Sequence, residues 1–270
     1  MFRTICVLIL CFVLYSGKLT AQETPSLVPY EDSLLILYHS VLEEQPLNKE
    51  SASAYFYDKF CAMLEIEGSF SFPFARLENI GKVYSTDKRI RIYSWNIPFG
   101  ADDNLYFGIV QYYSKTDKKY LLIKLNEPLN NPGKLKINAW QSTLYYEIVD
   151  TKHAGQKYYT LLGFNLHNSL SNIKRIDVVS IDESDQFYFC ENLIQYNGKL
   201  VDKLEFQYNE KAVMSLRYNT DVKMIVFDHL SPQKPSLIDN FEFYGPDFTY
   251  DGLKFEKGIW IHYPNIDITN

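Results

Sequence analysis

From about residue 83 onward, the chain consists of short segments in which polar and apolar residues alternate. Residues 89–95 are the clearest case, and this spacing is typical of a strand with one buried face. Similar segments follow at residues 105–113, 120–125, 144–149, 157–164, 175–181, 186–190, 204–208, 213–218, 224–227, 241–244 and 254–263. No long helical pattern interrupts them. Since parallel neighbours need long crossover connections, the pattern predicts a mainly β, antiparallel meander.

Several architectures built from such a meander are compatible with the pattern. A curved sheet, a barrel and a sandwich all satisfy it. A propeller is less favoured, because residues 85–89 resemble a Ser-x-Asp blade turn but the motif has Arg89 where glycine is usual and does not recur. Turn residues such as Gly245-Pro246-Asp247 separate the predicted strands.

Two helices are predicted ahead of the strands. Residues 31–44 carry apolar side chains at helical spacing, and Pro46 is expected to end this helix. A second helix is expected over residues 48–64, with Gly68 after it. The sequence thus divides into a signal peptide (residues 1–22), a helical segment (23–80) and an antiparallel β domain (81–270).

The first 22 residues have the pattern of a secretory signal peptide. Arg3 precedes an apolar run over residues 5–15, which is too short to span a bilayer, and small or polar residues follow it. Cleavage is expected after Ala21 or Gln22. The sequence therefore predicts a periplasmic or secreted protein that does not span a membrane after cleavage.

The cysteines and the charge restrict the function classes further. Cys61 and Cys190 lie outside the signal peptide, each in an apolar segment, which favours two buried thiols over a disulfide. The formal net charge is −6. The basic groups are short, at residues 88–91 and 115–119, and both are predicted to be solvated strand edges or turns. Nucleic acid is therefore an unfavoured partner.

The candidate ligand-binding residues are four polar residues near predicted strand ends and one tryptophan. Asp228 and His229 follow an apolar strand, and Asp247 and Asp251 follow in the Gly/Pro region. Carboxylates and an imidazole can support acid–base chemistry, but the same residues also terminate strands and cap turns. Trp140 could stack on a sugar ring, although a tryptophan in a β protein is more often core.

The familiar catalytic and metal-binding motifs are absent from the sequence. It has no His-Glu-x-x-His, Cys-x-x-Cys or Gly-x-Ser-x-Gly spacing and no phosphate-binding glycine loop. We therefore expect no metal and no cofactor.

Three strings resemble recurring segments of an uncharacterised family of exported, β-rich proteins from Gram-negative gut-type bacteria. They are Arg-Ile-Tyr-Ser-Trp-Asn at residues 91–96, Met-Ile-Val-Phe-Asp-His-Leu at 224–230, and Tyr-Gly-Pro-Asp-Phe-Thr-Tyr-Asp-Gly at 244–252. The resemblance implies secretion and a β-rich fold. It carries over no activity and no catalytic residue.

Together these features predict an exported, non-catalytic protein of the cell envelope, either ligand-binding or structural and accessory. Its expected partner is an envelope protein or a glycan. The alternative is a periplasmic or secreted hydrolase that uses clustered carboxylates.

Overall fold

The computed structural model describes residues 26–100, 103–126, 140–190 and 192–267. In these residues two helices, α1 (Val28–Glu43) and α2 (Pro46–Leu64), precede the strands of three sheets. None of the helices in the described ranges is long and apolar enough to cross a membrane.

The strands form sheets that we number along the chain. Sheet 1 has the order β1 (Gly81–Tyr84), β2 (Ile90–Pro98), β3 (Asn104–Ser114) and β4 (Lys119–Lys124). Sheet 2 contains β5 (Leu144–His153), β6 (Gln156–Asn165), β7 (Ser171–Ile181), β8 (Phe187–Phe189) and β11 (Lys203–Asn209), in the order β11-β7-β6-β5, with β8 pairing β7. Sheet 3 contains β9 (Ile194–Tyr196), β10 (Lys199–Val201), β12 (Leu216–Asn219), β13 (Met224–Pro232), β14 (Tyr244–Glu256) and β15 (Ile259–Tyr263), in the order β10-β9-β15-β14-β13-β12.

These pairings confirm the predicted mainly β class with two N-terminal helices. All pairs in sheets 1 and 2 are antiparallel. In sheet 3 the short β9 pairs parallel to β15, with Trp260 opposite Ile194. The described strands form open sheets that pack on one another, as expected for the sandwich alternative rather than for a closed barrel.

Three apolar cores separate four layers of structure. The helices pack on one face of sheet 1, around Trp95 and Tyr93. The other face of sheet 1 packs on sheet 2, and the far face of sheet 2 packs on sheet 3 around Trp260. Sheets 1 and 2 are thus covered on both faces, which explains why nearly every residue of β2 and β7 is buried.

The structure differs from the sequence prediction at three places near the ends of elements. Pro46 lies in the first turn of α2 instead of merely ending α1, because proline lacks an N–H that the first turn does not need. The segment Gly245-Pro246-Asp247 is not a turn but part of β14, which pairs with β13 through a bulge near His229. The preceding Phe241–Phe243 is a 3-10 turn, where a strand was predicted.

A buried arginine fixes the segment that links the helices to sheet 1. The guanidinium of Arg91 donates hydrogen bonds to the carbonyls of Ser69, Phe70, Phe72 and Pro73. Burial lowers its pKa. These carbonyls replace the water that burial removed from the guanidinium. The enclosed cation therefore holds residues 69–73, the aromatic linker, against sheet 1.

Candidate functional site

A cavity of about 460 Å³ lies where turns of sheets 1 and 2 meet. Its lining residues are Asp87, Lys88, Arg89, Tyr113, Lys115, Tyr120 and Lys157. Four of these side chains are cationic, two are aromatic and one is a carboxylate. We call this site the cationic cavity.

The β1–β2 turn supplies the first wall of the cationic cavity. The Oδ1 atom of Asp87 accepts hydrogen bonds from the Ser85 hydroxyl (2.8 Å) and the Arg89 backbone N–H (3.0 Å). Asp side chains stabilise turns in this way. Lys88 lies at a positive φ of 55° within the turn. The Asp150 carboxylate of β5 accepts the N–H groups of Thr86 and Asp87, so the turn is attached to sheet 2.

Asp185, in the β7–β8 loop, joins the cavity's two cationic turns. Its Oδ1 lies 2.8 Å from Arg89 Nη2, while its Oδ2 accepts hydrogen bonds from Thr116 N–H (2.6 Å) and the Ser114 hydroxyl (3.0 Å). Burial opposes ionisation, but these hydrogen bonds and the Arg89 charge lower the pKa of Asp185 to about 2. The carboxylate therefore stays ionised and holds the β3–β4 turn against the β1–β2 turn.

Asp87 neutralises a second cation of the cavity. Its Oδ2 lies 2.5 Å from Lys157 Nζ and accepts a hydrogen bond from the Tyr159 hydroxyl at 3.0 Å. Although partial burial opposes it, the hydrogen bonds from Lys157, Ser85, Arg89 and Tyr159 lower the pKa of Asp87. All of its acceptor positions are thereby engaged in holding the turn and Lys157.

Lys88 and Lys115 complete the cationic lining. Both are exposed, and no carboxylate in the described ranges lies within ion-pairing distance of either ammonium group. The chain as a whole carries a net charge of −6. The cationic cavity is therefore a local excess of positive charge on an acidic protein, and such a concave surface attracts anions.

Two tyrosines form the aromatic wall. The ring centroids of Tyr113 and Tyr120 lie 5.3 Å apart in an edge arrangement, and Tyr120 stacks on Phe70 at 4.1 Å. Phe70 belongs to the linker that Arg91 holds in place. Tyr120 remains 39% exposed, so part of its ring is available to a ligand.

The structure brings together some of the residues that the sequence analysis singled out. Asp247 Oδ2 lies 2.7 Å from His229 Nδ1 across the β13–β14 bulge, and its Oδ1 accepts hydrogen bonds from Thr249. These hydrogen bonds outweigh partial burial and lower the pKa of Asp247. Neighbouring Asp228 accepts the Ser215 N–H at 2.6 Å.

Asp251 belongs to a different contact, in the interior of sheet 3. Its carboxylate is 3% exposed and lies 3.1 Å from Nε2 of His262, whose ring packs on Tyr196. It also accepts the Asn265 N–H. Among the described residues no hydrogen bond or ion pair joins this contact to His229 and Asp247.

Trp140 and Trp95 belong to the cores on the two faces of sheet 1, whereas Trp260 lies on β15 of sheet 3, two residues before His262. Trp140 is partly buried and packs against the core between sheets 1 and 2, while Trp95 and Trp260 are 1% and 0% exposed. The Trp260 indole donates a hydrogen bond to Thr160. Cys61 and Cys190 are both buried and do not form a disulfide with each other, as predicted, and burial raises the pKa of Cys190 to about 12.

The metal-ligating residue types do not converge in the described part of the chain. No group of three or more His, Cys, Asp or Glu side chains lies in a ligating arrangement there. The carboxylates described above instead contact single histidines, cations, hydroxyl groups or backbone N–H groups.

The cationic cavity was not predicted from the sequence, although the two basic groups noted there supply three of its four cations. Each group was interpreted as a solvated turn, and Lys88 and Lys115 are indeed exposed. What turns them into one site is Asp185, which is 96 residues from Arg89 along the chain. The only signal available was that both basic groups lie at predicted strand ends.

Comparisons of the chain with protein-family models, curated proteins and solved structures found no match. The resemblance to exported β-rich proteins therefore remains a prediction from the three strings at residues 91–96, 224–230 and 244–252.

Proposed function

We propose that this chain is an exported, non-catalytic protein of the cell envelope that binds a negatively charged ligand in the cationic cavity. The observation that carries the proposal is that four cationic side chains face one concave space on an acidic chain. Two of them, Lys88 and Lys115, have no carboxylate partner among the described residues. An anionic ligand would supply a negatively charged partner for these two ammonium groups.

The state of the two carboxylates that hold the turns of the cationic cavity supports binding rather than catalysis. Asp87 and Asp185 both have lowered pKa values, and each is already hydrogen-bonded to the turns that it holds. A general acid or base needs a pKa near the working pH and a free position toward the substrate. These carboxylates therefore organise the cations instead of exchanging protons.

The test is calorimetric titration of the purified protein with sodium sulfate and sodium phosphate at constant ionic strength. Two charge-assisted hydrogen bonds to one small anion imply a dissociation constant on the order of 1 mM. The double variant Lys88→Ala/Lys115→Ala should weaken binding about tenfold or more, since it removes both unpaired charges. Wild-type protein that binds neither anion would refute the proposal.

A matched control uses two exposed lysines near sheet 3, one at the start of β10 and one in the turn before β13. Lys199 and Lys223 have the same charge and exposure but lie outside the cationic cavity. The variant Lys199→Ala/Lys223→Ala should bind sulfate as tightly as the wild type. Equal losses in both double variants would mean that net charge alone, and not the cavity, attracts the anion.

Export is the second part of the proposal and has its own test. The protein recovered from the periplasm or medium of an expressing Gram-negative cell should begin at Gln22 or Glu23, as measured by intact mass. Protein that stays in the cytoplasm with residues 1–22 still attached would contradict the signal-peptide prediction.

The contact between His229 and Asp247 favours the hydrolase as a second candidate function. The imidazole is 43% exposed and its Nδ1 faces the carboxylate, an arrangement in which Nε2 could accept a proton. Hydrolysis of p-nitrophenyl glycosides or esters that disappears in His229→Ala but persists in Lys88→Ala/Lys115→Ala would support this function. A wild-type hydrolysis rate no higher than that of His229→Ala would exclude the hydrolase function for these substrates.

A further inference from the structure

The cationic cavity presents three kinds of chemistry within about 460 Å³. Its cations attract an anion, its tyrosine rings offer an apolar face, and its phenol hydroxyls offer neutral hydrogen-bonding groups. Cavities of this size bury much of a small ligand's surface, and a few polar groups fix its orientation. The ligand should therefore match all three features at once.

The arrangement of charge limits the ligand to few negative groups. Lys88 and Lys115 can bind an anionic group, but the ionised carboxylate of Asp87 lines the same cavity. A ligand with several adjacent phosphates would place some of its charge beside Asp87, where like charges repel. A single carboxylate or sulfate group avoids this repulsion.

The aromatic wall favours a ligand with a ring. Tyr120 is supported from behind by Phe70 at 4.1 Å and from the side by Tyr113 at 5.3 Å. A supported ring is a preorganised surface, because it loses little freedom when a ligand packs on it. The C–H face of a pyranose is apolar and its rim carries hydroxyls, so a sugar can contact the rings while hydrogen-bonding to phenols and ammonium groups.

We infer that the ligand is an acidic sugar, a pyranose bearing one carboxylate or sulfate, with its anionic group between Lys88 and Lys115 and its ring against Tyr113 and Tyr120. The inference rests on the proposed function, since it names the ligand class of the same cavity. Lys88, Lys115 and Tyr120 are all exposed. The acidic sugar can therefore be one residue of a longer glycan that continues into solvent.

The first test compares ligands that differ in one feature. D-glucuronate has the charge and the ring, D-gluconate keeps the charge but has no ring, and D-glucose keeps the ring without the charge. Calorimetry should show D-glucuronate binding at least about tenfold tighter than either, because each control loses one class of contact. Titration with glucose 6-sulfate shows whether the cavity binds a sulfated sugar as tightly as one that bears a carboxylate.

The second test uses a variant that separates the ring from the charge. Tyr120→Leu should weaken D-glucuronate binding about fivefold, while sulfate binding stays within twofold of wild type. Tyr113→Leu serves as an independent variant if Tyr120→Leu lowers the midpoint of thermal unfolding. Equal losses for both ligands would mean that the rings only support the fold.

The outcomes separate this inference from the proposed function. If sulfate binds but D-glucuronate binds no tighter than D-gluconate, the cavity is an anion site and the sugar inference is wrong. If adenosine monophosphate binds tighter than D-glucuronate, the ligand is a nucleotide instead. If none of these anions binds, the proposed function itself fails.

Discussion

Two carboxylates of sheet 2, Asp177 in β7 and Asp185 in the loop after it, lie in opposite electrostatic surroundings. At the cationic cavity, Asp185 accepts hydrogen bonds from two turns and pairs with Arg89, and its pKa falls to about 2. In the interior of sheet 2, Asp177 is 3% exposed and accepts a hydrogen bond from Tyr145, and burial raises its pKa to about 6. Asp185 therefore stays ionised down to acidic pH beside the cavity, whereas Asp177 takes up its proton already at about pH 6 inside a core.

The difference shows how the placement of a carboxylate decides its use. Asp177 has charged neighbours in Arg175, Lys203 and Glu205, but Arg175 also pairs with Glu205 at 2.8 Å. Its charge is thus incompletely compensated, and desolvation dominates. Asp185 has enough donors to outweigh its desolvation. Asp177 serves packing between layers, while Asp185 holds the wall of a candidate binding site.

Replacing Asp185, which joins the two turns of the cationic cavity, should have the largest effect. In Asp185→Asn, an amide N–H₂ would face donors from Arg89, Ser114 or Thr116, and at least one of them would lose its acceptor. We expect the free energy of unfolding to fall by about 2 to 4 kcal/mol. Urea unfolding followed by circular dichroism measures it. A loss below about 0.5 kcal/mol would show that Asp185 does not hold the two turns together.

The pH dependence of stability should reveal Asp177. Because its pKa of about 6 in the folded protein exceeds the ordinary 3.8, the folded state binds the proton more tightly than the unfolded chain. The resulting stability is fully present below about pH 4 and is lost as pH rises through about 6, a change of roughly 1 to 3 kcal/mol. Asp185 acts in the opposite direction, because its stabilisation is lost as pH falls from about 4 towards 2.

The variant Asp177→Asn isolates this contribution. It should abolish the part of the pH dependence between about pH 4 and pH 7 that the wild type shows, while the loss of stability below about pH 4 remains. Urea unfolding at a series of pH values measures both. An unchanged slope above about pH 4 in Asp177→Asn would assign the effect to another group.

The alternating pattern allowed the layers to be predicted better than the site. Periodicity located α1, α2 and most strands, because burial of one face leaves a regular spacing of apolar residues. It could not locate the cationic cavity, because Asp185 and Lys157 reach it from sheet 2 through contacts with residues that are 96 and 70 positions away along the chain, respectively. Local spacing carries no information on which turns of two packed sheets meet.

The same reasoning explains the outcome for the residues chosen from the sequence. His229 and Asp247 meet because a bulge near His229 shifts the register between β13 and β14. Glycine and proline predicted a turn at residues 245–247, whereas pairing with β13 keeps this segment extended. Asp251, only four residues further, follows the strand into the core and meets His262 instead. Closeness in sequence thus did not predict a shared site.

The support behind the aromatic wall should have a moderate effect. Phe70 is 5% exposed and stacks on Tyr120, so Phe70→Leu keeps an apolar side chain but removes the stacked ring. We expect a loss of about 1 to 2 kcal/mol in the free energy of unfolding and a weakening of D-glucuronate binding of about two- to threefold. Sulfate binding should not change. Weaker sulfate binding would mean that Phe70 also positions the lysines.

The smallest effect is expected at the exposed contact on sheet 3. Asp247→Asn makes the same chemical change as Asp185→Asn, but the His229 and Asp247 side chains are 43% and 29% exposed, so water can replace the lost interaction. The free energy of unfolding should fall by less than about 1 kcal/mol. Anion binding at the cationic cavity should be unchanged in calorimetry. If Asp247→Asn lowered the free energy of unfolding as much as Asp185→Asn does, the bulge would depend on the Asp247 carboxylate as strongly as the turns of the cavity depend on Asp185. The contrast between the buried Asp185 carboxylate and the exposed His229–Asp247 pair would then no longer hold.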